Sequence, residues 1–224
     1  GSQYGLNIKY KIQPSPDGLA QAFILGENFI GNDDVALVLG DNIFYGDRFS
    51  KMLINAVNIV KNENKAVVFG YEVRNASRYG VVEFNKDLDA ISIEEKPTNP
   101  KSNYAVVGLY YYPNDVIEVA KNVKPSSRGE LEITSVNSHY LNENKLKVKI
   151  LGRGFAWLDT GTIDAINRAS DYVRAIEERQ GLKIACIEEI VYKNKFINEQ
   201  QLEELIKKLP DEYASYLRRI IIDN

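Results

Sequence analysis

The stretch VALVLGDN, residues 35–42, determines the fold that this sequence predicts. Its first five residues, Val35–Leu39, are all apolar, a pattern typical of a strand buried on both faces of a parallel sheet. The run ends at Gly40, and Asp41 follows at once. We therefore expect an α/β fold with a Rossmann-like mixed sheet, helices on both faces of that sheet and Asp41 at the carboxyl end of a buried strand.

Amphipathic segments surround this strand. Helical spacing of apolar residues predicts a helix after Gly18 and another over residues 49–60, and a second buried strand follows over 66–69. We expect a right-handed connection within this strand-helix-strand unit. Alternation over residues 79–93 predicts an antiparallel hairpin. The remaining predicted elements are a strand over 104–112, helices near 116–120, 131–141 and 164–178, and a strand over 146–150.

The predicted domain boundary lies at residue 181. Residues 1–181 are expected to form the α/β domain, with an antiparallel insertion over about 74–112. Residues 182–224 are expected to form a helical C-terminal appendage, with Asn198 or Glu199 starting one of its helices.

Charge and cysteine content exclude several classes of function. The chain has 28 Lys and Arg against 31 Asp and Glu, a net charge of −3, whereas binding to a nucleic-acid backbone needs a basic face. No apolar run approaches the roughly 20 residues of a membrane span. The single cysteine, Cys186, cannot form an internal disulfide, which favours a cytoplasmic location.

Two aspartates are candidate metal ligands. Asp41 and Asp159 each follow an apolar run, and ligands of open α/β sheets bind at strand carboxyl ends. A carboxylate there can hold a metal whose other ligands are phosphate oxygens. Taken alone, each aspartate could instead cap a helix or turn.

Three other segments are candidate binding sites. The loop Gln13–Gly18 could let a ligand approach its backbone, or could be an ordinary proline-rich turn. The sequence EEKP, residues 94–97, could be a site or a solvated turn. Arg128, just before a predicted helix, could bind phosphate or cap that helix.

Six blocks in order carry a resemblance that covers essentially the whole chain. They are QPSPDGLAQA (13–22), LGDN (39–42), RYGVV (78–82), EEKP (94–97), RGELEIT (128–134) and WLDTG (157–161). Together they resemble the glucose-1-phosphate thymidylyltransferases, a family of bacterial sugar-nucleotide pyrophosphorylases. Residues 1–181 would then be the nucleotidyltransferase domain, and 74–112 its sugar-binding insertion.

The resemblance implies that dTTP and glucose 1-phosphate react to give dTDP-glucose and pyrophosphate, which feeds the synthesis of dTDP-rhamnose, other deoxysugars and polysaccharide. It implies that Asp41 and Asp159 hold Mg²⁺. The implied substrate contacts are Gln13 and Gly18 on the thymine, Lys96 and Arg128 on the sugar phosphate, and Gly80, Glu95 and Tyr110 around the glucose, with Pro16, Tyr79 and Val106 completing the set.

Residues 176–183, IEERQGLK, resemble the long-tailed members of this family. That resemblance implies a homotetramer and a second nucleotide site at a subunit contact, where a dTDP-sugar inhibits by feedback. The matching positions are Gly46, Arg153, Glu189 and Ile190.

The family begins with a strand and a glycine-rich loop that contains an arginine, followed by a lysine, and no segment here matches them. We therefore expect a fragment that is inactive alone. A catalytically inactive sugar-nucleotide-binding module is the main alternative. A metal-dependent glycosyltransferase also places aspartates after strands, although residues 13–22 speak against it. A nicotinamide dehydrogenase is disfavoured because no G-x-G-x-x-G follows a strand.

Overall fold

The computed structural model describes residues 1–222, which divide into two units. The first unit comprises Lys11–Ala165, and the second combines Gly1–Tyr10 with the chain from Ile166 onward. This division differs from the predicted boundary at residue 181, since residues 1–10 and 166–181 are grouped with the helical tail. Within residues 1–222, none of the helices has the length and apolar character needed to cross a bilayer.

The first unit contains most of the strands and helices that the sequence predicts. Its strands are β1 (Val35–Val38), β2 (Asn42–Tyr45), β3 (Ala66–Glu72), β4 (Gly80–Phe84), β5 (Ala90–Glu95), β6 (Tyr104–Tyr112), β7 (Leu146–Leu151) and β8 (Ala156–Asp159). Its helices are α1 (Gln21–Ile30), α2 (Phe49–Glu63), α3 (Val116–Asn122) and α4 (Ile133–Asn142).

Strand β6 organises a mixed sheet with the order β5-β4-β6-β3-β7, and β1 also pairs with β6. The β3–β7 pair is parallel, whereas β6 is antiparallel to β1, β3 and β4. The predicted hairpin is confirmed as β4–β5, which extends this same sheet. The α/β class with a mixed sheet is thus confirmed.

Helices cover both faces of the sheet, as predicted. Alternate residues of a strand point to opposite faces. On one face, Val68 and Tyr110 pack with α1, α3 and α4. On the other, Phe69 and Val107 pack with α2. Strands β3 and β6 are therefore both buried on their two faces, and residues 66–69 of β3 are 0% exposed.

The prediction that Val35–Leu39 is buried on both faces in a parallel pairing is wrong. Val35 and Leu37 pack on the core, but Val38 is 56% exposed. Among residues 1–222, β1 pairs on one edge only, antiparallel to β6. Because Tyr110 and Tyr111 pair with both β1 and β3, β6 lies between these two strands. The two strands of the predicted strand-helix-strand unit, β1 and β3, are therefore not paired with each other.

A separate two-stranded ribbon positions the two candidate metal ligands. Strands β2 and β8 pair antiparallel, with Asn42 opposite Asp159. Phe44 of this ribbon packs on the α2 side of the core, and Trp157 is buried there. Asp41, one residue before β2, is thereby brought next to Asp159.

The second unit is mainly helical, as predicted for the tail. It contains most of α5 (Ile163–Gln180), followed by α6 (Ile187–Lys193), α7 (Glu199–Ile206) and α8 (Asp211–Ile222). Asn198 caps α7 by accepting from the backbone N–H of Gln201, and the Gln201 side chain accepts in return from the Asn198 N–H. The predicted start of this helix is confirmed, and Leu202 and Leu217 anchor the unit's core.

Candidate active site

Asp41 and Asp159, far apart in sequence, face the same small space. A methyl group built on Gly161 would lie 3.2 Å from Oδ1 of Asp159 and 3.9 Å from Oδ2 of Asp41. The Thr160 N–H and hydroxyl both donate to the Asp41 carbonyl oxygen at 2.8 Å. These two bonds fix the loop after β8 against the start of β2, and so hold the carboxylates together.

The contacts of the two carboxylates leave them free of cationic partners. The Asn42 amide donates to Asp41 at 2.7 Å. Asp159 accepts from the Gly161 N–H at 3.1 Å and from the Tyr79 hydroxyl at 3.4 Å. Burial raises the pKa of Tyr79, and the Asp159 charge raises it further, so Tyr79 stays protonated. No ion pair holds either aspartate in the part of the chain that the structure describes.

This pair suits a metal that takes its other ligands from substrate. Residues 1–222 contain no group of three or more acidic, histidine or cysteine side chains able to hold a metal alone. Mg²⁺ in phosphoryl-transfer sites binds through one or two carboxylates plus phosphate oxygens. Asp41 and Asp159 fit that requirement because both are oxygen donors without a competing cation.

Asp41 and Asp159 line a cleft of about 370 Å³. Residues of the β2–β8 ribbon, of β4–β6 and of α4 line it together. The lining includes Asp41, Asn42, Tyr79, Gly80, Glu95, Lys96, Val106, Tyr110, Thr134, Asn137, Trp157, Asp159 and Gly161. The structure therefore brings together eight of the residues predicted to be catalytic or to bind substrate.

Glu95 is the acidic group on the wall formed by β4–β6 and α4. Its Oε2 accepts from the Thr134 hydroxyl at 2.5 Å. Gly80 is directly opposite Glu95 in the β4–β5 pair, and a Cβ there would lie 3.0 Å from the Thr134 hydroxyl oxygen. Burial, with the Glu95 charge, raises the pKa of Tyr110 far above its usual value, so this phenol stays protonated.

Lys96 brings a positive charge to the cleft. It follows β5, with its N–H donating to the Tyr79 carbonyl at 3.0 Å. Its φ of +43° lies in the left-handed region, which a residue with a side chain occupies at a cost. No carboxylate in residues 1–222 pairs with its ammonium group, so Lys96 is available to an anionic ligand.

Arg128 is held by carboxylates in this structure. Its guanidinium binds Glu132 at 3.0 Å and Glu130 at 3.0 Å, and it lies 3.8 Å from Oε1 of Glu95. The pKa of Arg128 is raised, chiefly by the hydrogen bond to the nearly buried Glu132. Arg128 therefore borders the cleft through Glu95 and does not line it.

The Gln13–Gly18 loop lies outside the lining of the cleft, although the neighbouring Leu19 belongs to it. The Gln13 amide donates to Gln21 at 2.7 Å and to the Gly18 carbonyl at 3.3 Å, and Pro16 is exposed. Gly18 has φ +110°, and a Cβ there would lie 2.4 Å from the Leu131 carbonyl oxygen. Packing against Leu131 thus accounts for this glycine. Contact of the loop with a base stays a prediction.

The four predicted regulatory positions are divided between the two units. Gly46 and Arg153 belong to the first, and a Cβ on Gly46 would lie 2.3 Å from the Phe155 ring. Glu189 and Ile190 belong to the second, where Glu189 binds Lys193 at 2.6 Å and accepts from the Tyr216 hydroxyl. A joint site of these residues stays a prediction.

Asn42 is a site residue that sequence reasoning did not single out. Its Oδ1 accepts from the Trp157 indole N–H at 2.6 Å and from the Gly108 N–H at 3.1 Å. It therefore links the ribbon to β6. The sequence signal that could have identified Asn42 was its position directly after Asp41. Thr134 ends the block RGELEIT, but nothing marked it as a site residue, and Asn137 carried no signal beyond helical spacing.

A mixed sheet with a cleft that holds both a metal-competent carboxylate pair and a carboxylate bonded to a hydroxyl is typical of nucleotide-handling transferases. The nucleotidyl transferase family model matches residues 1–175, and the chain belongs to this family.

Its relatives include glucose-1-phosphate thymidylyltransferases. One from Neisseria meningitidis serogroup A is 53% identical over 99% of this chain and 76% of its own length. Another, from Mycobacterium tuberculosis, is 50% identical over 100% of this chain and 77% of its own. A Bacillus anthracis structure with bound sucrose, provisionally assigned the same activity, is 37% identical with a TM-score of 0.66. It covers 77% of this chain and 68% of its own.

Proposed function

We propose that this protein transfers a thymidylyl group from dTTP to glucose 1-phosphate. A phosphate oxygen of the sugar phosphate forms a bond to the α-phosphorus of dTTP. The bond from that phosphorus to the bridging oxygen breaks, and pyrophosphate leaves with the electron pair. The products are dTDP-glucose and pyrophosphate. The observation that carries the proposal is the 53% identity to a thymidylyltransferase over 99% of the chain.

The chemistry of the cleft supports this reaction. Two anions must approach each other, so positioning and charge cancellation are the main requirements. Asp41 and Asp159 would hold Mg²⁺ at the end of the cleft where they converge. When bound, this ion would offset negative charge on phosphate oxygens. Lys96, whose ammonium has no carboxylate partner in residues 1–222, would neutralise the sugar phosphate.

The wall that carries Glu95 suits a sugar. Glu95 would accept hydrogen bonds from a pair of glucose hydroxyls, because its Oε1 has no hydrogen bond within residues 1–222 and the Arg128 guanidinium lies 3.8 Å away. Gly80, Val106 and Tyr110 would form the floor, with Tyr79 beside Asp159. Arg128 would assist the sugar phosphate from behind Glu95. Gln13 and Gly18 would contact the thymine, with Pro16 in the same substrate-binding loop, in keeping with the place of Leu19 at the cleft.

Regulation and assembly are further proposals. A dTDP-sugar of the rhamnose pathway would inhibit at a second site that includes Gly46, Arg153, Glu189 and Ile190, in a homotetramer. Arg153 supports this because it is exposed between two glycines. The buried, unpaired Cys186 supports a cytoplasmic location.

Pyrophosphate release tests the proposal. The full-length gene product is incubated with dTTP, glucose 1-phosphate and Mg²⁺, and both products are quantified. Equimolar dTDP-glucose and pyrophosphate are expected. Tight binding of dTDP-glucose without any turnover would instead indicate the inactive binding module, and transfer from a sugar nucleotide to an acceptor would indicate a glycosyltransferase.

A further inference from the structure

Asn137 carries a buried polar atom whose hydrogen bonding is incomplete. The residue lies in α4 and is 1% exposed. Its Oδ1 accepts from the Tyr112 hydroxyl at 2.5 Å. Its Nδ2 has no hydrogen-bond partner. Among the buried side-chain nitrogen and oxygen atoms of residues 1–222, Nδ2 is the one atom that lacks a partner. Buried polar groups are paired in the large majority of cases, so an unpaired donor calls for an explanation.

Tyr112 fixes the direction of the Asn137 amide. Its side chain is 0% exposed, and burial raises its pKa well above the ordinary value, so the hydroxyl keeps its proton. That proton needs an acceptor, and Oδ1 supplies it. Turning the amide over would leave both the Tyr112 O–H and the Asn137 oxygen without a partner. The unpaired atom is therefore the N–H donor.

The same residue belongs to the lining of the cleft. Ile133 and Thr134, four and three positions earlier in α4, lie on the same helix face and also line it. The wall around Asn137 is thus the one that carries Glu95. A carboxylate can only accept hydrogen bonds, and the Thr134 hydroxyl already donates to it.

A sugar hydroxyl both donates and accepts, so a wall that recognises it fully needs both kinds of partner. Glu95 accepts, and Asn137, which lines the same cleft, holds in its Nδ2 group a donor that has no partner within residues 1–222. We propose that this group donates a hydrogen bond to one hydroxyl oxygen of the bound hexose. Asn137 is then a specificity-determining residue that discriminates against sugars lacking that hydroxyl. The inference rests on the proposed function, because the hydroxyl that Asn137 would contact belongs to the sugar of glucose 1-phosphate.

The test uses a pair of variants that keeps the core packed. Tyr112→Phe removes the partner of Oδ1 and frees the amide to turn, so it serves as the control for loss of the hydroxyl and the unsubstituted protein is the reference. The double variant Tyr112→Phe/Asn137→Leu removes both polar groups together, a change that leaves no buried group unpaired. Unfolding midpoints of both variants in the full-length gene product establish that they fold. Kinetics are then measured with dTTP, with glucose 1-phosphate and with its 2-, 3-, 4- and 6-deoxy analogues.

We expect the double variant to lose roughly five- to tenfold in kcat/KM for glucose 1-phosphate relative to the unsubstituted protein, the effect of one hydrogen bond. The KM for dTTP should not change. With one of the deoxy analogues, the double variant should equal the unsubstituted protein, because the hydroxyl that Asn137 contacts is already absent.

An equal loss with every sugar, or an equal loss for dTTP, would mean that Asn137 acts only through packing and would overturn the inference. No loss at all would overturn it as well. In each of these cases the unsubstituted protein still turns over its substrates. If the unsubstituted protein shows no turnover, the proposed function is overturned and this inference with it.

Discussion

Replacing Glu95 by Gln should weaken glucose 1-phosphate and leave dTTP unaffected. The two side chains have the same shape, and the amide oxygen can still accept from Thr134, which donates at 2.5 Å. The new NH₂ group takes the place of Oε1, which lies 3.8 Å from the Arg128 guanidinium. There it cannot accept from a sugar hydroxyl, and it faces a positive charge.

The size of the effect follows from the kind of hydrogen bond lost. A hydrogen bond to a charged group contributes about 1.5–3 kcal/mol, and about 1.4 kcal/mol corresponds to tenfold in affinity. The KM for glucose 1-phosphate should therefore rise roughly ten- to a hundredfold. Initial rates of pyrophosphate release, with each substrate varied at saturating levels of the other, measure it.

Glu94→Gln is the matched control. Glu94 is exposed and points to the opposite face of β5, so this variant should behave like the unsubstituted protein. An unchanged KM for glucose 1-phosphate in Glu95→Gln would refute the assignment of this wall to the sugar, as would an equal loss for both substrates.

Three further outcomes are expected. Lys96→Ala should weaken glucose 1-phosphate far more than dTTP in isothermal titration, and equal losses would show that Lys96 is not placed on the sugar phosphate. Gly18→Ala should lower the unfolding midpoint, because φ +110° and the approach to the Leu131 carbonyl together cost at least about 1–3 kcal/mol; an unchanged midpoint would contradict the packing described. Arg153→Ala should relieve inhibition by dTDP-rhamnose while turnover without inhibitor persists, and inhibition equal to that of the unsubstituted protein would exclude Arg153 from a regulatory site.

Much of the fold could be predicted from apolar spacing, but the sheet pairing could not. Residues 104–112 are confirmed as β6, and 66–69 are confirmed as a strand buried on both faces. The run Val35–Leu39 has the same composition as such a strand. Whether its second face is covered depends on what packs there, which local sequence does not encode. For the same reason, the sequence did not predict that β6 lies between β1 and β3.

The site was predictable where a residue type is tied to a role, and less so where a role depends on partners. Asp41 and Asp159 stood out as acidic residues after apolar runs, and the β2–β8 pairing brings them together. Arg128 stood out as a cation, yet its carboxylate partners are visible only in three dimensions. Asn137 looked like any helix residue, because its unpaired donor depends on Tyr112 from a distant strand.

The most direct test of the central claim is the rate of Mg²⁺-dependent pyrophosphate release by the Asp159→Ala variant of the full-length gene product. Losing one preorganised charge-stabilising group lowers turnover on the order of a hundred- to a thousandfold, and we expect that loss with the unfolding midpoint retained. Asp47→Ala, at a side chain 89% exposed beyond β2, should keep normal turnover. Near-normal turnover in the Asp159→Ala variant would contradict the assignment of Asp41 and Asp159 as the metal-binding centre of a thymidylyl transfer site.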